Sequence, residues 1–96
     1  MAQRSAHFRV VQVQPTPNPN AAKFVLDRQV SEQSISFLTA ASADGNALAR
    51  ALFAIPGVSS LLFLGDFITV NKTPETAWKD LTPRVKQALA KGGGGA

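Results

Sequence analysis

Apolar and polar residues alternate with a period of two along several short runs of the chain. Phe8 to Gln14 interleaves Phe8, Val10, Val11 and Val13 with Arg9, Gln12 and Gln14, and Ala22 to Asp27 sets Phe24 and Leu26 against Lys23 and Asp27. β-Branched and aromatic residues in such alternation predict strands with one wetter face. The two runs form a predicted hairpin closed by Pro15-Thr16-Pro17-Asn18-Pro19-Asn20. Ser34 to Thr39 repeats the pattern, with Ile35 and Phe37 between serines and Leu38 turned outward, and predicts a third strand. Val58 to Leu64 is too uniformly apolar for a surface element and predicts a strand near the sheet centre. Gly65-Asp66 then reverses the chain into Phe67 to Lys72 as its antiparallel partner.

Two stretches change period. From Asp44 to Gly57, Leu48, Leu52 and Ile55 recur at i, i+4 and i+7, which predicts a helix capped by Asp44 or a near neighbour and ended by Pro56-Gly57. Thr73-Pro74-Glu75 has the composition of a helix start, and Thr82-Pro83 that of a restart. A short first turn carrying Trp78 is therefore expected, then a longer helix from Pro83 to Ala90 with Leu81, Val85 and Leu89 on one face. The order βββαββα favours an α+β fold, a mainly antiparallel sheet of four to five strands with two helices packed on one face.

Length and composition narrow the function classes. Ninety-six residues, 45% of them hydrophobic, suit one core. The expected organisation is a flexible N-terminus over 1–7, a folded domain over 8–91 and a flexible glycine-rich tail over 92–96. The absence of cysteine excludes disulfides, thiolate metal sites, cysteine nucleophiles and cysteine-ligated clusters within this sequence. No run reaches membrane-spanning length and the first residues carry no apolar leader core, so the expectation is no membrane association and a cytoplasmic location. The net charge of +4 raises the alternative of a small basic nucleic-acid-binding domain, but the ten Lys and Arg residues are spread along the chain instead of clustered.

Several separate stretches together form a recognisable pattern: Thr16-Pro-Asn-Pro-Asn-Ala-Ala-Lys-Phe24, Ala49-Arg-Ala-Leu-Phe-Ala-Ile-Pro-Gly-Val58, Gly65-Asp-Phe-Ile-Thr-Val70, and Trp78 followed by Leu81 and Pro83. In this order they closely resemble the N-terminal domain of Nfu/NifU-like iron-sulfur scaffold proteins, over about residues 10 to 90. The resemblance implies an α+β domain and a connection to iron-sulfur cluster assembly. In two-domain members of the family this module precedes a second domain whose Cys-x-x-Cys pair holds the cluster. No cluster ligand of the family has a matching position here, so the resemblance implies a stand-alone module that is not an enzyme and holds no cofactor. The implied role is that of a non-catalytic accessory or protein-interaction module. Its expected partners are proteins of iron-sulfur biogenesis: a separate Cys-x-x-Cys scaffold domain, a cluster donor or a recipient apoprotein.

Reactive chemistry finds little support in the residues themselves. His7 is the only histidine and has no His, Asp or Glu at i+3 or i+4. Iron held by Asp44, Asp66, Glu75 and Asp80 is an alternative without ligand spacing. Serines are plentiful, but there is no nucleophile-elbow pattern. Candidate partner-binding residues are Thr16, Pro17, Asn18, Pro19 and Asn20, the hairpin tip Gly65, Asp66 and Phe67, and Trp78. The simpler reading makes Trp78 core beside Leu81, and Phe67 the inward start of a strand. In the proline stretch, Asn18-Pro19-Asn20-Ala21 fits a type I turn and alternate prolines lack donors on one edge. That serves structure alone, or structure and docking together.

Overall fold

The computed structural model describes residues 8–43 and 45–91. Three strands come first, β1 (Val10–Pro15), β2 (Ala21–Leu26) and β3 (Ser31–Phe37). A 3-10 turn over Ala40–Ala43 leads to helix α1 (Ala47–Phe53), then β4 (Val58–Gly65), β5 (Phe67–Lys72) and helix α2 (Trp78–Lys91). The five strands form one antiparallel sheet in the order β1-β2-β5-β4-β3. This is the expected α+β architecture with the expected strand count.

Central position suits β5, because Ile68 and Val70 are fully buried while Phe67, Thr69 and Asn71 between them are half-covered. Its neighbour β4 turns Leu61 and Phe63 to the same core face. Phe24 and Leu26 of β2 join them there, with Leu48 and Leu52 of α1 and Leu81, Val85 and Leu89 of α2. Each of these large side chains contributes about 1.5–3 kcal/mol through burial. The opposite face, with Val25, Leu62, Leu64 and Phe67 half-buried, carries no helix among the described residues.

Local chemistry sets the boundaries. Helix α1 is shorter than the stretch to Gly57 suggests: Asn46 caps it by accepting from the Ala49 amide at 3.0 Å, and Ala54 ends it before Pro56. Asp44, the other expected cap, lies outside the described residues. Gly57 has φ +102, and a Cβ there would lie 2.6 Å from the Thr76 hydroxyl oxygen, so two turns can only meet at a glycine. Strand β3 begins at Ser31, earlier than Ser34. Ile35 shares the core side with Phe37 but stays 39% exposed at the sheet margin.

The expected two-piece C-terminal helix is a single helix. Thr73-Pro74-Glu75 does not start it: Thr76 N–H donates to the Thr73 carbonyl at 3.1 Å, a turn with proline at its second position. Helix α2 opens instead at Ala77, whose carbonyl accepts from Asp80 and Leu81. Pro83 lies inside α2 on its exposed side and forfeits the amide bond to the Lys79 carbonyl. The buried i, i+4, i+8 stripe of Leu81, Val85 and Leu89 holds the helix through this defect. No helix among the described residues is long and apolar enough to cross a membrane.

Two predictions follow from these contacts. Pro83→Ala should restore the missing bond and raise the unfolding free energy by about 1–2 kcal/mol, read by urea denaturation. At the open end of the β1–β2 hairpin, the Asp27 carboxylate accepts from the Arg9 amide at 3.0 Å. That amide, opposed by desolvation and helped by the Arg28 charge, holds the carboxyl below its ordinary value. A depressed folded value means that the contact stabilises above the unfolded pKa and is lost as pH falls through the folded one. The Arg9 amide resonance should therefore titrate with Asp27 below the usual aspartate range, and Asp27→Asn should abolish that titration.

Candidate functional site: a proline loop clamped to a tryptophan

The loop between β1 and β2 is built around one hydroxyl. Thr16 Oγ1 accepts from the Asn18 amide at 3.1 Å and shares its proton between the carbonyls of Asn18, at 2.9 Å, and Ala21, at 3.0 Å. Asn18 Oδ1 accepts from the Asn20 amide at 2.9 Å, and the Ala21 amide donates to the Asn18 carbonyl at 3.0 Å. The Asn18–Ala21 turn thus has proline at its second position and an asparagine side chain bonded two residues on, as expected from the residue types. Pro15 is in β1, whereas Pro17 and Pro19 belong to the loop.

Two side chains from the far half of the chain fasten this loop. Trp78, the first residue of α2, donates its indole N–H to the Pro19 carbonyl at 2.9 Å. Its ring stands 6.3 Å from that of Phe24, so it is part core and part loop clamp. Lys72, only 9% exposed, donates from its backbone to the Asn20 carbonyl at 2.7 Å and from Nζ to Asn20 Oδ1 at 3.1 Å. The ammonium also approaches the Thr73 carbonyl at 3.4 Å and lies 5.6 Å from the Trp78 ring centre. These direct partners are neutral, so dipoles and an aromatic face, with no ion pair in contact, meet the buried charge. Beside this clamp a groove of about 290 Å³ runs between Val13, Pro15, Pro19, Ala22, Trp78 and Thr82.

Thr16, Pro17, Asn18, Pro19, Asn20 and Trp78 therefore come together, whereas Gly65, Asp66 and Phe67 do not join them. The latter sit at the opposite end of β5, roughly 17 Å away at the usual rise per residue. Their turn is also engaged: the Asp66 and Gly65 carbonyls accept from Leu26 and Val30, each at 2.7 Å. Phe67 is half-buried on the helix-free face beneath Lys23 Nζ, 4.1 Å from its ring centre, and does not point into the core. Lys72 is the residue that sequence reasoning missed. Its signal was the alternation of Ile68, Val70 and Lys72, which puts the lysine on the core side.

Among the described residues no three His, Cys, Asp or Glu side chains approach closely enough to hold a metal ion. His7 and Asp44 lie outside the described residues. The Glu75 carboxyl lies below its ordinary value through its own backbone amide and the Thr73 hydroxyl, with Lys72 a lesser cause, and belongs to the turn before α2. What this arrangement offers chemically is a shaped, pre-ordered surface of proline, threonine, asparagine and tryptophan.

The family described as Scaffold protein Nfu/NifU N terminal matches residues 11–92. The chain belongs to this family. The human NFU1 iron-sulfur cluster scaffold homolog, mitochondrial, is 44% identical over 80 residues, covering 81% of this chain and 32% of the relative. NifU-like protein 4, mitochondrial, of Arabidopsis thaliana is 36% identical over 80 residues, with 82% and 28% covered. Conserved virulence factor C of Staphylococcus saprophyticus is 31% identical over 83 residues, with 86% and 22% covered. The chain thus spans a third or less of these relatives. A solved NifU-like protein from Saccharomyces cerevisiae superposes with TM-score 0.73 at 29% identity, over 95% of this chain and 81% of the other. A Staphylococcus aureus crystal structure at 22% identity shares the fold, with TM-score 0.70 over 84% and 98%.

The clamp has a direct test. Trp78→Phe keeps most of the ring burial but removes the donor to Pro19, and should cost about 1 kcal/mol in unfolding free energy. The sharper readout is local: backbone order parameters over residues 16–20 should fall while those of β4 and β5 stay unchanged.

Proposed function

We propose that this Nfu/NifU N-terminal domain is a non-catalytic accessory module of iron-sulfur cluster assembly that acts by binding proteins. The observation that carries this reading is membership of a scaffold-protein family in a sequence without cysteine. The cluster is then cargo held by thiolates of another domain or protein, and this domain's contribution is recognition. The recognised partner is a Cys-x-x-Cys scaffold domain, a cluster donor or a recipient apoprotein.

The recognition surface assigned by this proposal is the Thr16–Asn20 loop with Trp78 and the adjoining groove. A loop already closed by its own hydrogen bonds and held by Trp78 and Lys72 gives up little entropy on docking. An exposed tryptophan margin beside prolines suits an interface centre, where aromatic anchors concentrate binding energy. The Gly65-Asp66 tip is a weaker candidate, because its carbonyls are already engaged.

The test is a titration of the isotopically labelled domain with a cluster-loaded Cys-x-x-Cys scaffold domain, a cluster donor and an apoprotein in turn. Amide shifts at Thr16, Asn18 and Asn20 and at the Trp78 indole are expected with at least one of them. Pro15→Ala with Pro17→Ala should then weaken that binding about tenfold while changing unfolding free energy by less than about 1 kcal/mol. Unshifted spectra with all three partners would remove the proposal. Steeply salt-sensitive binding to mixed DNA or RNA would favour the basic-surface alternative instead.

A further inference from the structure

Two cavities open along the same side of α2. One, of about 600 Å³, lies between Phe8, Arg9, Val10 and Asp27 on one side and Lys86 and Ala90 on the other. The second is the groove of about 290 Å³ beside the clamp, where Val13 and Pro15 face Trp78 and Thr82. The helix residues involved, Trp78, Thr82, Lys86 and Ala90, recur every four positions and form one row along α2. The opposing residues come mainly from β1 and its approach, so both cavities belong to one trough between β1 and α2. At the usual rise per residue its helical wall is about 18 Å long.

The floor of the trough is apolar. Val10, Val13 and Pro15 stand opposite Leu26, Phe24 and Ala22 of β2, so their side chains share the core face of the sheet. Val13 is nevertheless 36% exposed, because α2 sends Leu81, Val85 and Leu89 into the core and passes β1 only with its shoulder. The rim is basic. Arg9 and Lys86 line the wider cavity, and Lys79, seven residues before Lys86, lies on the same shoulder of the helix. Asp80, the only acidic residue of α2, is turned away from the trough by the helical period, as are Arg84 and Lys91. Asp27 is the one acid in the lining, and it already accepts from the Arg9 amide.

The backbone of β1 decides what form of chain fits there. A strand added to this edge would meet a register shift between Val10 and Gln12 and no donor at Pro15. A helix satisfies its own backbone and needs only an apolar floor and a complementary rim. We propose that the trough seats an acidic amphipathic helix of a partner protein, about three turns long. Its apolar stripe rests on Val10, Val13 and Trp78, and its carboxylates face Arg9, Lys79 and Lys86. Charge selects the sign of this occupant, since three cations against the one carboxylate of Asp27 leave an excess of two positive charges at the rim. The inference rests on the recognition reading above and extends it: the loop and Trp78 form one end of a longer seat.

The probe is a synthetic peptide of about sixteen residues with leucine at helical spacing and glutamate elsewhere, titrated to about 1 mM into the isotopically labelled domain. Amide shifts at Arg9, Val10, Val13, Lys86 and Ala90 and at the Trp78 indole are expected, with affinity falling about tenfold between about 50 and 300 mM salt. The same composition with a central proline should bind about tenfold more weakly. Lys79→Glu with Lys86→Glu should also weaken binding about tenfold. Arg84→Glu with Lys91→Glu makes an equal charge change on the far side of α2 and should cost less than about threefold. All four positions are exposed, and circular dichroism checks that both variants fold. Absence of these shifts, equal losses from the two double variants, equal binding of a peptide with lysine for glutamate, or preference for mixed RNA overturns the proposal. An iron-sulfur partner that shifts only Thr16, Asn18, Asn20 and the Trp78 indole overturns it too, while leaving the recognition reading in place. Binding of the acidic peptide along the trough with no binding of any iron-sulfur partner supports the helix seat and removes the iron-sulfur reading instead.

Discussion

Everything in this domain depends on β5 being covered on one face and flanked on both sides. Ile68 and Val70 reach zero exposure only when β2 and β4 pair with their strand and both helices lie over it. Because β5 comes late in the chain, the first hairpin and the β4–β5 hairpin cannot share a core until it is inserted between them. A strand order of β1-β2-β5-β4-β3 follows, with the first and third strands left as edges. The location of the loop and the edge is thus decided by the burial of two side chains that belong to neither.

The clamp around the proline loop grows from the same constraint. Continuing the alternation of β5 by two residues brings Lys72 to the core side, where its ammonium cannot reach bulk water freely. It turns to Asn20 and the Thr73 carbonyl, and the loop gains an anchor from the cost of burying a charge. Trp78 contributes in the opposite sense, as an apolar body packed on Phe24 with one donor left over for Pro19. One polar and one aromatic side chain, each with an unsatisfied need, are both met by the same five-residue loop.

Strand and helix periodicities made the architecture and the element order legible in the sequence, and the repeated turn residues made the loop legible as a closed turn. Errors fell where a local rule met tertiary packing. Pro83 looked like a restart, but the stripe of Leu81, Val85 and Leu89 is worth more than the one bond the proline removes. Thr73-Pro74-Glu75 satisfied the composition of a helix start, yet turn formation against Gly57 claimed it first. Trp78 could be placed in the core or on the surface by sequence alone, and it is shared between the two. Lys72 drew no notice because charged residues at strand ends are ordinarily exposed, and only its parity with Ile68 and Val70 marked it.

The bonds that hold the loop join residues 52 and 59 positions apart along the chain. Contacts of such separation form late, after the intervening chain has paid its closure entropy. During synthesis the proline stretch leaves the ribosome long before Lys72 and Trp78 do, and its final shape waits for them. An early segment is therefore fastened to the domain late. A chain stalled before α2 keeps the residues for the local bonds of Thr16 and Asn18 but lacks the tryptophan that fastens the turn to the domain.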